Sequence, residues 1–204
     1  MFRQLLEYIV LNKKLPNLYQ EVEYIESDGN QYIDTGYVPN QNTEFEVEYE
    51  LNKKGTYGII FGGEQAYSNN AFHMYVSGWP QMWDIGFGKF FTYAKEVELN
   101  KKIKYKINKT NYYFDNVEYT YTGNTTFDNA RAVYLFADNR SSVLLDVNAQ
   151  KKIYKCSIKD NNTLVRNFVP CYRKSDNVIG MYDTVNKVFY TNQGTGTFLK
   201  GPDI

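Results

Sequence analysis

Residues 153–198 constrain the fold of this chain more than any other part of its sequence. Four short apolar runs follow one another there at nearly regular spacing, separated by turn-forming residues. Such spacing is typical of consecutive antiparallel strands rather than of helices. The predicted strands span residues 153–158, 164–169, 178–182 and 187–190. We therefore expect this stretch to form two antiparallel strand pairs.

Residues 43–51 contain the clearest strand alternation in the sequence. Because a strand presents successive side chains on opposite faces, the apolar residues here should face a core while the glutamates face solvent or a ligand. We count about a dozen strands along the chain, and they predict an all-β fold of two stacked antiparallel sheets. The apolar positions are Phe45, Val47, Tyr49 and Leu51, and the acidic positions are Glu44, Glu46, Glu48 and Glu50.

An apolar stripe with helical spacing occupies residues 2–12 and stops before Pro16. A helix this short must bury its stripe, either as a cap over one end of the sandwich or as an attachment and oligomerisation segment. We divide the chain into this segment, residues 1–18, and a sandwich domain, residues 19–204. The stripe, and hence the predicted attachment surface, consists of Phe2, Leu5, Leu6 and Ile9.

The formal charge of the chain is balanced, since its 204 residues include 23 basic and 23 acidic side chains. A chain without excess positive charge does not favour nucleic acid or an anionic membrane as a partner. No apolar run approaches the length of a membrane span, and charge interrupts the first residues before a secretory signal could form. We expect synthesis and folding in a reducing cytoplasm.

The two cysteines can be tested by strand register. If Ile158 pairs with Val165, then Cys156 faces Asn167, and Cys171 lies further along the partner strand. The offset is roughly 13 Å, whereas the Cα atoms of a disulfide approach within about 7 Å. We therefore predict two buried free thiols.

The acidic face of residues 43–51 is the strongest catalytic candidate. Retaining glycosidases need two carboxyl groups about 5 Å apart, and some jelly-roll glucanases carry them in an E-x-D-x-E pattern. Here the central position is Glu48, and Glu44 extends the alternation, as on a solvated sheet face. The only histidine, His73, has no recognisable nucleophile or zinc-ligand pattern around it. We predict that the protein is not an enzyme and that His73 is an ordinary strand residue.

We predict no bound cofactor, and calcium, rather than zinc, is the ion that this sequence would suit. Asp138, Asn139 and Asp146 lie in a polar connection after a predicted strand, and hard oxygen ligands on loops suit calcium. If no ion is bound, these residues form turns.

Aromatic residues near loops suggest a glycan platform, because the apolar faces of sugar rings pack on aromatic planes. The alternative is that these rings fill the core. The candidates are Tyr67, Tyr75, Trp79 and Trp83.

Several segments together resemble a module frequent in structural proteins of bacteriophages and in surface proteins of gut bacteria. That module is similar to the concanavalin A-like and laminin G-like jelly rolls, and the resemblance covers residues 19–201. The segments are VEYIES at 22–27, QYIDTG at 31–36, LFA at 135–137, KIY at 152–154, LVRNFVPC at 164–171, GMYD at 180–183, and FY at 189–190 followed by GTGTF at 194–198.

The resemblance implies a two-sheet antiparallel jelly roll in a non-enzymatic virion protein, placed on the head, a fibre or the tail. It implies that Asp34 and Asp183 bind turn amides, that Arg166 pairs with a carboxylate, and that Pro170 ends a strand at a sheet edge. We expect a homo-oligomer that contacts other virion proteins through residues 1–18 and glycans through its lectin-like domain. The alternatives are a soluble or bacterial cell-surface carbohydrate-binding protein, and a jelly-roll glycosidase.

Overall fold

The computed structural model describes residues 15–66, 69–77, 82–120 and 131–204, with only the backbone of residues 66, 69, 77 and 89–95. The described residues form an all-β fold without an α-helix, as the strand patterns predict. No helix among them is long and apolar enough to cross a membrane. Outside the described residues lie the predicted N-terminal helix with Phe2, Leu5, Leu6 and Ile9, and the glycan candidates Tyr67 and Trp79.

The strands range from two to fifteen residues in length. They are β1 (Tyr19–Glu21), β2 (Ile25–Ser27), β3 (Ile33–Asp34), β4 (Thr43–Lys53), β5 (Phe61–Ala66), β6 (Asn69–Ser77), β7 (Met82–Glu96), β8 (Lys102–Ile107), β9 (Asn111–Phe114), β10 (Val117–Thr120), β11 (Tyr134–Leu135), β12 (Asp138–Asn139), β13 (Val143–Leu144), β14 (Gln150–Asp160), β15 (Thr163–Arg173), β16 (Ile179–Asp183), β17 (Val188–Thr191) and β18 (Leu199–Lys200).

Two sheets pack face to face as a sandwich. The larger sheet has eleven described strands, with the central order β10-β9-β8-β4-β14-β15-β16-β17. Strand β1 lies beside β15, β2 beside β14, and β18 beside β2. The smaller sheet has seven described strands. Five follow the order β13-β12-β5-β11-β3, β6 pairs with β5, and β7 pairs with β6.

Strand β4 has the two faces that its alternation predicts. Phe45, Val47, Tyr49 and Leu51 are fully buried between the sheets. The glutamates lie on the opposite face and form ion pairs with lysines of the two neighbouring strands. The pairs are Glu48–Lys102 at 3.2 Å, Glu46–Lys104 at 3.1 Å and Glu44–Lys106 at 2.9 Å on β8, and Glu44–Lys159 at 2.7 Å and Glu50–Lys152 at 3.1 Å on β14.

The hairpin of β14 and β15 is longer than predicted, and its register differs by one residue. Cys156 pairs with Phe168 rather than with Asn167, because a bulge between Ile158 and Lys159 shifts the pairing. Both cysteines are buried and free, as predicted.

Pro170 does not end β15, which continues to Arg173. Beyond the Cys156–Phe168 pair, β14 and β15 separate, and β1 and β2 continue the sheet beside them. Pro170 lies at this separation, where its carbonyl accepts a hydrogen bond from the Val22 N–H at 3.0 Å. A proline fits here because it has no N–H to donate, and β14 no longer lies beside β15 at this position.

Strand β5 of the smaller sheet also begins later than predicted. The sequence suggests a strand over residues 57–61 that ends at two glycines, whereas β5 begins at Phe61 and runs through them. A Cβ atom at Gly62 would overlap with the Asp138 carboxylate, and one at Gly63 would lie 2.8 Å from the Ala132 carbonyl oxygen. These glycines therefore permit close approach of the segments that contain Asp138 and Ala132, and they do not break the strand.

The two faces of β4 predict very different costs for adjacent substitutions. Phe45→Ala should lower the free energy of unfolding by about 3–5 kcal/mol, because it opens a cavity in the core. Glu46→Gln should lower it by less than about 1 kcal/mol, because an ion pair with a half-exposed lysine contributes little. Urea unfolding of both variants measures the difference. Equal costs would contradict the observed orientation of β4.

Candidate functional site

Four charged or titratable side chains meet on the outer face of the smaller sheet, and we call them the Glu64 cluster: Glu64, His73, Asp138 and Arg140. Glu64 Oε2 lies 3.0 Å from His73 Nδ1. Arg140 Nε donates to Asp138 Oδ2 at 2.6 Å and also contacts Glu64 Oε1. Glu64, His73 and Asp138 are at most 2% exposed. The cluster therefore joins β5, β6 and the chain after β11 through buried charges.

Strand alternation and two glycines position His73. Phe72 and Met74 face the core, so His73 lies on the opposite face of β6. In register, His73 pairs with Gly62 of β5 and with Gly86 of β7. A Cβ atom at Gly86 would lie 3.0 Å from the imidazole ring. The glycines thus leave room for the imidazole and for the Asp138 carboxylate.

The environments of the two carboxyl groups move their pKa values in opposite directions. Burial raises the pKa of Asp138 to about 6, and the neighbouring charge of Glu64 adds to the rise. Burial also acts to raise the pKa of Glu64, but the hydrogen bond and charge of His73, together with the charge of Arg140, lower it overall. Glu64 is therefore the carboxylate that accepts the His73 hydrogen bond, and Asp138 is the group that titrates in mildly acidic solution.

The donor atoms of Glu64, His73 and Asp138 lie within 4.8 Å of one another, a set that could hold a transition-metal ion. However, the Arg140 guanidinium already contacts both carboxylates. Its positive charge therefore lies beside the same carboxylates that would bind a metal ion. The charge of the two carboxylates is thus largely neutralised within the chain, and a metal ion would compete with Arg140 for them.

A second buried ion pair forms between Asp146 and Lys151, both fully buried. The Lys151 ammonium donates to the carbonyl oxygens of Ile59 at 2.8 Å and Phe136 at 2.7 Å, and lies 3.6 Å from Asp146 Oδ2. We call these three oxygen groups the Lys151 cage. Burial lowers the pKa of Lys151 to about 8, although the charge of Asp146 opposes the change.

The sequence prediction missed Lys151 because it began the strand at Ile153. Lys151 lies two residues earlier and shares the inward face of β14 with Ile153, which is 1% exposed. Extension of the alternation by one step would have placed a lysine inside the sandwich. His73 was likewise described as an ordinary strand residue, because single residues in a sequence do not reveal which partners the fold brings to them.

The three predicted calcium ligands have different surroundings. Asp138 belongs to the Glu64 cluster, and the Asn139 side-chain amide donates to the Ala132 carbonyl at 2.9 Å. Asp146 accepts hydrogen bonds from the N–H groups of Tyr57 at 2.8 Å and Ile59 at 3.3 Å, besides its pair with Lys151. Both aspartates therefore face a cation that the chain itself supplies.

The two described glycan candidates are buried, which favours the alternative that these rings fill the interior of the fold. Trp83 is 1% exposed and packs in the core, with its ring centroid 5.6 Å from that of Tyr49 and 6.2 Å from that of Phe114. Tyr75 is 3% exposed, and its ring lies 4.5 Å from the His73 ring. Neither ring has a face available to a ligand.

The roles that the resemblance gives to three further residues agree with the structure. Asp34 accepts a hydrogen bond from the Gly36 N–H at 2.8 Å, and Asp183 accepts one from the Val185 N–H at 3.0 Å. Arg166 Nε lies 3.7 Å from Asp183 Oδ2. All three stabilise turns or strand pairing.

Comparison of the chain with protein families and with curated proteins finds no match in either. We therefore infer the function from the described residues and from the sequence resemblance.

The raised pKa of Asp138 predicts a specific dependence of stability on pH. A folded carboxyl group that holds its proton more tightly than in the unfolded chain favours folding below its unfolded pKa of about 3.9. That contribution is lost as the pH rises through the folded pKa of about 6. The free energy of unfolding of the native protein, measured relative to Asp138→Asn, should therefore fall between about pH 4 and pH 6. Urea titrations across this range check it; a difference that stays constant or rises would contradict the assignment.

Proposed function

We propose that this protein is a non-enzymatic structural component of a bacteriophage virion, located on the head, a fibre or the tail. We narrow the attachment segment from the predicted residues 1–18 to residues 1–14, because Leu15 packs on the sandwich. This segment attaches the protein to other virion proteins and brings copies together, and the β-sandwich is displayed outward as a lectin-like domain. The chain is made in the host cytoplasm and then becomes part of the particle. Support comes from the resemblance over residues 19–201 and from the way the first described residues join the sandwich.

The observation that carries this proposal is the anchoring of the chain immediately after residue 14. Leu15 is 8% exposed and packs with Val169, Cys171 and Tyr182 on the face of the larger sheet that points away from the main core. Tyr19 follows it, and its ring centroid lies 4.9 Å from that of Tyr182. The preceding segment is therefore joined to a rigid part of the fold.

Backbone pairing strengthens this anchor. Strand β1 pairs with β15 at three positions, from Tyr19–Arg173 to Glu21–Cys171. Val22 then forms an isolated antiparallel β-bridge with Asp203, so residues near the end of the described chain also hold the segment after β1 in position. A pull on residues 1–14 would be distributed over these hydrogen bonds and the side chains of Leu15 and Tyr19. Such a junction suits a domain that is held on a particle by its N-terminal segment.

The outer face of β4 supports a display role over a glycosidase. Glu46, Glu48 and Glu50 each form an ion pair with a lysine at 3.1–3.2 Å, as part of a ladder that covers three strands. A glycosidase needs one carboxyl group free to attack and another that holds a proton. Paired carboxylates on a solvated face instead favour a soluble, rigid scaffold. Contact with host or environmental glycans would be weak for each copy and effective through many copies.

Removal of residues 1–14 tests the attachment. The deletion stops before Leu15, because loss of Leu15 would expose Val169 and Cys171 and destabilise the sandwich. We expect the truncated protein to keep the melting temperature of the full chain but to be absent from virions purified on a density gradient, while the full chain copurifies with them. Light scattering should show that truncation also reduces the oligomeric state.

The matched control is Leu15→Ala in the full chain, which should lower the melting temperature but still enter virions. Copurification of the truncated protein at the level of the full chain would contradict the proposal. A full chain that never copurifies with virions would favour the alternative of a soluble or cell-surface carbohydrate-binding protein.

A further inference from the structure

The Lys151 cage has the chemistry of a cation site that is filled from within the chain. An ammonium group has three N–H donors, and three oxygen groups surround this one: the carbonyls of Ile59 and Phe136 and the carboxylate of Asp146. Lys151 and Asp146 are both 0% exposed, so solvent does not compete for these contacts. The number and type of oxygens match a primary ammonium ion.

The charge of the cage also matches a monovalent cation. Asp146 is the single carboxylate in the cage, and two backbone N–H groups, those of Tyr57 and Ile59, already donate to it. One ammonium ion gives a neutral buried pair, whereas a divalent ion would leave a net positive charge inside the fold. Calcium also takes six to eight oxygen ligands, roughly twice the number offered here. The cage is therefore suited to an ammonium ion and poorly suited to calcium.

The packing around Asp146 shows that the cage is a built part of the fold. A Cβ atom at Gly55 would lie 2.5 Å from Asp146 Oδ1, and one at Gly29 would overlap with the Asp146 backbone carbonyl. Gly29 also has a positive φ of 99°. These two glycines allow neighbouring segments to close over the carboxylate. The cage thereby joins β14 of the larger sheet to the segments before β5 and after β11 of the smaller one.

We propose that this cage is a primary-ammonium binding site. Lys151 fills it in the native protein and makes the fold independent of calcium, and the cage emptied by Lys151→Ala binds a free alkylammonium ion. The substitution removes three carbon atoms and the ammonium nitrogen. The n-propylammonium ion contains the same atoms and fits the cavity that the lysine leaves, in the way that small molecules enter engineered cavities of matching chemistry.

Chemical rescue tests the proposal. Lys151→Ala should lower the melting temperature by about 10 °C, because an aspartate and two carbonyls lose their buried partner. n-Propylammonium chloride at 50–100 mM (about the concentration that a weak site needs) should then raise it by about 3 °C or more. Tetramethylammonium chloride, which has no N–H donors, and sodium chloride should not produce this rise at equal ionic strength. Lys155→Ala, an exposed position on the same strand, should show neither the loss nor the rescue.

Equal effects of n-propylammonium and tetramethylammonium on Lys151→Ala would overturn the proposal. If the variant does not fold, the same salts are compared by its refolding yield from urea; a yield raised only by n-propylammonium supports the site, and equal yields contradict it. The native protein supplies an independent measurement. Its melting temperature should agree within about 1 °C in calcium chloride and in EDTA, and a calcium-dependent rise of several degrees that Asp146→Asn abolishes would overturn the proposal.

Discussion

The structure depends on the pairing of buried charges by groups of the same chain. Lys151 inserts an ammonium between the two sheets, and its partners are one carboxylate and two backbone carbonyls. A buried charge without a partner costs several kcal/mol, so the segments that carry these oxygens must stay where they are. On the outer face of the smaller sheet, Arg140 has the same role toward Glu64 and Asp138. Both arrangements place a cation of the chain where the sequence suggested a bound ion.

The sequence predicts the architecture well where period-two alternation is regular. In β4, every core residue and every glutamate lies on the face that the alternation assigns, and the short runs of residues 153–190 become four strands in the expected order. The prediction fails where a local irregularity changes the strand register or a strand boundary. A bulge after Ile158 shifts the hairpin register by one residue, and Gly62 continues a strand that it was expected to end. Such features depend on the neighbouring strands, and the sequence of a single segment does not contain them.

The chemistry was harder to predict than the fold, because it depends on residues that are distant in sequence. His73 contacts Glu64, nine residues away, and lies near Asp138, while Arg140 contacts both carboxylates. Asp138 and Asp146 were considered as calcium ligands, and in the structure their cationic partners are Arg140 and Lys151. Trp83 and Tyr75 were considered as aromatics near loops, and the packing around β6 and β7 buries both. In the proposed display role, function depends on the segment before Leu15, and Leu15 and Tyr19 pack on the larger sheet where that segment begins.

The most direct test of the central claim is the titration of Lys151 itself, followed by NMR of the lysine side-chain 13Cε and 15Nζ signals and assigned with Lys151→Arg. An ammonium buried among a carboxylate and two carbonyls should titrate with a pKa of about 8. Its N–H protons should exchange slowly enough with water to be observed below that pH. A pKa of about 10.4, the value of a lysine in water, together with rapid exchange, would show that the ammonium is solvated and would contradict the account.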